Sequence, residues 1–188
     1  MRSSPSNILI ILCLFLSGML SSCVTHKNDN LQRIIDRYDQ YILSGQLQLA
    51  IDGYNRMLKD YPYEARVVDN FIQTVENIKE AAEHAYKAQN YLHALKVYTL
   101  LLDNFPNFWS FRNSLSFDQE YLKLKQRDCR IDICETEVDQ KIRTGDYMLA
   151  LRAYRPLFHE YHNDKYLTQS FRNTVYHFYN REKTALKS

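Results

Sequence analysis

Two thiols, a pair of imidazoles and a knot of aromatic rings are the side chains in this sequence whose types and spacing admit chemistry. Cys129 and Cys134 stand five residues apart. In an exported, oxidising compartment they make a candidate disulfide. In a continuous helix, however, positions i and i+5 lie about 140° apart around the axis, beyond bridging geometry, so bond and helix exclude one another. Ile131-Asp132-Ile133 alternates as a short strand does, whereas Phe117, Tyr121, Leu124, Ile131, Cys134, Val138 and Ile142 suit a helix running through. A metal at the two thiols would need further ligands that the nearby sequence does not supply. His159 and His162 flank Glu160 at helical i, i+3 spacing, but with no third ligand in sequence they read as solvated surface histidines. No metal and no other cofactor is expected.

Phosphate loops, Gly-x-Ser-x-Gly elbows and His-Glu-x-x-His pairs are missing, and glycine occurs only at 18, 45, 53 and 145. The chain therefore reads as a non-enzyme, with no catalytic residues to name. The aromatic knot, Asn107-Phe108-Trp109-Ser-Phe111 through Phe117, has two readings. It fills a seam between helical units, or Phe108, Trp109 and Phe111 form a candidate partner-binding patch, since large aromatic rings dominate interface hot spots.

The elements that must position these groups come from one stretch written three times. Gly45-x-Leu47-x2-Ala50-x3-Tyr54-x2-Met57-Leu58 is repeated by Gln89-x-Tyr91-x2-Ala94-x3-Tyr98-x2-Leu101-Leu102 and by Gly145-x-Tyr147-x2-Ala150-x3-Tyr154-x2-Leu157-Phe158. Ala, Tyr and the apolar pair at i, i+4, i+7 and i+8 share one helix face, where the small Ala admits a neighbouring helix. Gly45 and Gly145 suit the left-handed turn that ends the preceding helix, and Gln89-Asn90 supplies the same turn with Asn as the tolerated substitute. Pro62 and Pro106 are expected to stop the first two copies.

These residues resemble the second helix of the tetratricopeptide repeat, small-x3-aromatic followed by an apolar pair and proline. Ala50, Tyr54, Met57, Leu58 and Pro62 match, as do Ala94, Tyr98, Leu101, Leu102 and Pro106; the third copy has His162 where the proline would stand. The period departs from the family's 34 residues, being 44 from Ala50 to Ala94 and 56 from Ala94 to Ala150. The resemblance implies an all-α fold of antiparallel helix pairs stacked as a superhelical array, an α-α solenoid, over residues 30–182.

Ahead of it, Met1-Arg2 and an apolar run from Ile8 to Leu16 read as a secretory signal, too short to span a membrane. Leu20-Ser21-Ser22-Cys23 resembles the lipobox of bacterial lipoproteins. That resemblance implies cleavage of residues 1–22, lipidation of Cys23 with a diacylglycerol and an amide-linked acyl chain, and a flexible tether over 23–29. Val24 is not the Asp that retains such proteins in the inner membrane, so the outer membrane, facing the periplasm, is the expected site.

Within 30–182 a first helix with Leu31, Ile34, Ile35, Tyr38, Tyr41 and Ile42 on one face should end at Gly45. Beyond Pro62 a helical stripe from Val67 to Ala85 predicts a second first-helix of roughly 26 residues, about 39 Å long. Ser116 and Gln119 have capping-box spacing, which predicts a helix start there. A last helix over about Asp164 to Arg181 should bury Leu167, Phe171, Val175 and Phe178, with 183–188 fraying. After the cut, 23 basic residues face 22 acidic ones, a balance that excludes a nucleic-acid footprint. The expected function is a lipid-anchored envelope scaffold that docks a protein or peptide, in envelope assembly or secretion. A module binding a small ligand or cell-wall fragment for a transporter or enzyme is the alternative.

Overall fold

The computed structural model describes residues 30–185; the signal segment, Cys23 and the 23–29 tether lie outside the described residues, as do 186–188. All regular structure among the described residues is helical, so the all-α expectation holds. None of these helices is long and apolar enough to cross a membrane. In order they are α1 (30–43), α2 (Leu47–Asp60), α3 (Ala65–Lys87), α4 (Tyr91–Asn104), a 3-10 segment (Phe105–Ser114), α5 (Gln119–Thr144), α6 (Tyr147–Ala153), α7 (Arg155–Glu160) and α8 (Lys165–Ala185). They form two compact units, one running through Thr74 and one from Val75, with the division inside α3.

Each of the three expected turns is built the same way. Gly45 has φ +73° and Gly145 φ +88°. The Gly45 amide donates to the Ile42 carbonyl (2.9 Å) and the next amide to Tyr41 (2.7 Å); Gly145 and Asp146 repeat this on Ile142 (3.2 Å) and Lys141 (2.8 Å). This is the Schellman closure, which satisfies carbonyls that a helix end leaves unpaired. In the middle copy the left-handed residue is Gln89, φ +61°, not Asn90. Its amide and that of Asn90 donate to Tyr86 and Ala85, both at 2.9 Å. Asn90 instead caps α4, its side chain accepting from the His93 amide.

In the unit through Thr74, α2 buries Ala50, Ile51, Tyr54 and Met57, while Leu31 and Ile35 of α1 and Val67 and Phe71 of α3 are buried with them. Tyr54 stacks on Phe71, ring centroids 5.2 Å apart, and meets Tyr38 at 5.4 Å. Gly53 sits mid-helix, where glycine ordinarily costs about 0.5–1 kcal/mol against alanine. A Cβ built there would run into the Tyr38 ring. The positions equivalent to 38 and 53 carry Ala82 and Val97 in the middle copy and Val138 and Ala153 in the last, so a larger side chain is matched to a smaller one each time.

From Val75 on, α5 is the helix on which the unit is assembled, with α4, α6 and α8 packed against it. Ile131, Cys134 and Val138 of α5 form one core with Ala150, Tyr154, Leu157 and Leu167. The strand-like Ile131-Asp132-Ile133 is helical, because α5 runs unbroken for 26 residues to its Gly145 cap. α3, at 23 residues, and α5 are the elongated members, which accounts for the long period.

Four local expectations are corrected. Pro106 does not halt the winding; it stands in the first turn of the 3-10 segment, where no donor is needed. Pro156, inside the third copy, divides its helix into α6 and α7, since it has no N–H to give to the turn before it. The cap of α5 is Asp118, whose Oδ1 accepts from the Tyr121 amide at 2.7 Å, rather than Ser116. On α8 the buried polar residues are Ser170 and Thr174, while Val175 is 38 % exposed. They face inward because the buried Tyr154 hydroxyl needs them, at 2.9 and 2.8 Å. Asp164 caps α8 through the Leu167 amide (2.9 Å), and the helix runs to Ala185.

Gly53→Ala should lower thermal stability by about 1–3 kcal/mol, the usual cost of overpacking, despite alanine's better helix propensity. Adding Tyr38→Ala should recover part of that loss, as followed by circular dichroism melts. The tyrosines of the second unit separate similarly. Tyr154→Phe orphans Ser170 and Thr174 and should cost about 1–3 kcal/mol, whereas Tyr98, whose buried hydroxyl makes no hydrogen bond among the described residues, should tolerate Phe with little loss or a gain.

Candidate functional site

The aromatic knot folds as 3-10 turns with a kink at Phe111, where φ is −126° and ψ 15°. With three residues per turn, side chains at i and i+3 eclipse. Phe105, Phe108 and Phe111 therefore fall on one side, and all three are buried, with Phe117 buried beyond them. Phe105 and Phe108 meet edge to face at 6.3 Å, and Phe108 and Phe111 lie 5.9 Å apart. Phe108 and Phe111 are thus core residues and not surface anchors, which corrects two thirds of the expected patch. Pro106 and Trp109 lie on another side and are exposed. Trp109 is 65 % exposed, and the Arg112 guanidinium lies 3.4 Å above its ring.

Arg112 also lines an open groove of about 410 Å³ with Asn113, Leu115, Ser116, Phe117, Asp118 and Tyr121. Its floor is held from α3. The Glu76 carboxylate accepts from the Ser116 amide (2.5 Å) and hydroxyl (2.6 Å), and Glu83 accepts from the Tyr121 hydroxyl (2.6 Å) while pairing with Lys79 at 3.0 Å. Burial pushes the Glu83 carboxyl up, but Tyr121 and Lys79 outweigh it and hold the group below its ordinary value. Lys79 and Lys125 stand about 6 Å from the Tyr121 ring, at 6.0 and 5.6 Å. The groove thus combines a fixed phenol, a cation and an aromatic wall, features suited to binding.

A second shallow groove, about 290 Å³, runs along Tyr91 and the exposed Leu92 of α4 and Ile133, Thr136, Glu137 and Gln140 of α5. The same helix carries a buried carboxylate bonded from two other helices. Asp132 is buried at 7 % exposure and accepts from Tyr86 at 2.5 Å and Tyr166 at 3.0 Å, joining α3, α5 and α8. Arg127 adds a second tie, reaching Asp128 at 2.5 Å and Asp164 at 2.7 Å, and Arg130 pairs with Glu160. Sequence reading missed this hub, because its members are 46 and 34 residues apart and only Asp132, a carboxylate on an otherwise apolar helix face, could have signalled it.

Cys129 and Cys134 are free and buried on the unbroken α5, so the candidate disulfide is corrected by the helix geometry that opposed it. Burial, with Asp132 and Asp128 nearby, pushes the Cys129 thiol up to about 12; burial with Glu137 and Glu135 pushes Cys134 to about 11. Neither is a nucleophile at neutral pH. His159 and His162 are exposed, and no cluster able to hold a metal occurs among the described residues. Cys23 lies outside them.

Burial first, then the bonded carboxylate, raises Tyr86, Tyr166 and Tyr121 above the ordinary tyrosine value of 10.0. A raised folded value means that the neutral phenols stabilise the fold fully below pH about 10 and that this contribution is lost as pH climbs through the folded values. Alkaline titration should therefore show the tyrosinate absorbance of these residues rising together with loss of helical ellipticity. Tyr86→Phe, Tyr121→Phe and Tyr166→Phe should each shift the transition to higher pH relative to its own neutral-pH stability.

No family model matches this sequence, and neither a curated protein nor a solved structure matches it.

Proposed function

We propose that this chain is a tetratricopeptide-like docking module, a stack of helix pairs held to the cell envelope by lipid on Cys23, that offers the surface around Trp109 to a protein or peptide partner. The observation that carries the reading is the Trp109–Arg112 pair beside the groove at Arg112 to Tyr121. A large ring left mostly exposed while its neighbours are buried, and steadied by a guanidinium, has the character of an interface hot spot. The groove is open along its length, which favours an extended segment of protein over an enclosed small molecule. With basic and acidic residues nearly balanced, capture rests on such short-range contacts and not on long-range charge.

Three hairpins closed by the same turn, each with Ala and Tyr at the same two positions, support the repeat reading, and the long α3 and α5 enlarge the face such a module presents. The Leu20 to Cys23 sequence supports the lipid anchor, and Val24 supports an outer-membrane destination facing the periplasm, in a role in envelope assembly or secretion.

In-cell crosslinking of the full chain, followed by mass spectrometry, should recover one envelope protein. Trp109→Ala should weaken that capture by about 2 kcal/mol or more, as hot-spot truncations do, with the melting curve unchanged. Unfolding of the Trp109→Ala variant would make the ring part of the core and remove the site. A sugar or peptide fragment co-purifying in place of a protein would transfer the function to small-ligand binding. Labelled palmitate should enter at Cys23 and be lost in Cys23→Ser.

A further inference from the structure

α8 repeats α3 one hundred residues later: Val67, Phe71 and Thr74 return as Leu167, Phe171 and Thr174. The face that turns away from this shared core has opposite fates in the two helices. On α3 it carries Glu76, Lys79 and Glu83, which hold the start of α5 through Ser116 and Tyr121. At the same register α8 carries Tyr176, Tyr179 and Lys183, with Arg172 one turn before them and Lys165 at the helix start. Tyr176 and Tyr179 are 65 % and 60 % exposed, and Arg172 and Lys183 are exposed too. Arg172, Tyr176, Tyr179 and Lys183 fall within one narrow stripe, spaced i, i+4, i+7 and i+11, and no carboxylate interrupts it.

From this register match and charge inversion we infer that the outward face of α8 is a second docking surface, whose occupant is an acidic amphipathic helix of a partner protein. In α3 the equivalent face receives a helix of this chain and does so with carboxylates. In α8 the two carboxylate positions have become Tyr176 and Lys183, and the Lys79 position has become Tyr179, so a helix seated there must bring the acids itself. The tyrosines supply rigid apolar area and hydroxyls at low entropic cost, and Arg172 and Lys183 flank them at a distance of about three turns, fixing the polarity of the occupant. This surface is independent of Trp109, and its failure leaves that site untouched.

The test uses the full chain with two probes: a synthetic amphipathic helix with a leucine stripe flanked by glutamates, and vesicles of phosphatidylglycerol with phosphatidylethanolamine. Fluorescence anisotropy should show the acidic helix binding with an affinity that weakens as salt is added, while the same helix with lysine in place of glutamate does not bind. Arg172→Glu combined with Lys183→Glu should weaken binding about tenfold or more without moving the melting temperature, and Tyr176→Ala should weaken it with charge intact. Equal binding by the charge-reversed variant, or no binding of the acidic helix by the wild type, overturns the inference. Binding to the anionic vesicles, lost in the charge-reversed variant while the helix is not bound, reassigns the face to a lipid surface.

Discussion

A phenol buried at the centre of a helical hairpin brings a hydroxyl that cannot be left dry without cost, and the helices around Tyr54 and Tyr154, though not around Tyr98, are composed to meet that demand. Tyr154 is closed by Ser170 and Thr174 of α8, which is why a helix face otherwise meant for apolar packing carries two hydroxyl residues. Tyr54 reaches back to Asp39 of its own hairpin at 3.3 Å. The ring meanwhile has its own partner, Phe71 for Tyr54 and Phe171 for Tyr154, at 5.2 and 5.4 Å. One residue type thus sets both the apolar and the polar composition of the helix that follows it.

Beyond the hairpins, the second unit depends on α5 serving several neighbours at once. A helix buried on more than one side would be expected to be apolar all round. α5 instead keeps Asp132 and Arg127 at its contacts, bonded to Tyr86 of α3, Tyr166 of α8 and the α8 cap Asp164, so the packing of α8 and the end of α3 is specified by directional bonds as well as by volume. Such bonds discriminate between registers that apolar contact alone would tolerate.

The three hairpins, their turns and their buried Ala and Tyr positions were legible in the sequence because each is a local matter of spacing and left-handed backbone. The state of the cysteines followed from the same spacing once α5 proved continuous. Of the two readings of the aromatic knot, seam-filling holds for Phe108 and Phe111, and only Trp109 keeps the surface character of the other. Phe105-x2-Phe108-x2-Phe111 has a period of three, which fits the burial of these rings and the exposure of Trp109. The Asp132 hub and the α8 hydroxyls were not legible, since their partners come from helices distant in sequence and no local rule joins them.

The pairing of Tyr38 with Gly53 bears on how such a chain can change over generations. Each hairpin carries its own complementary sizes at these two positions, Tyr with Gly, Ala with Val, Val with Ala. Joining the first helix of one hairpin to the second helix of another would set Tyr38 against Val97 or leave Ala82 facing Gly53, a collision in one chimera and a void in the other. The two helices of a hairpin are therefore coupled at this contact, and a substitution in either has a sign that depends on the residue its partner already holds.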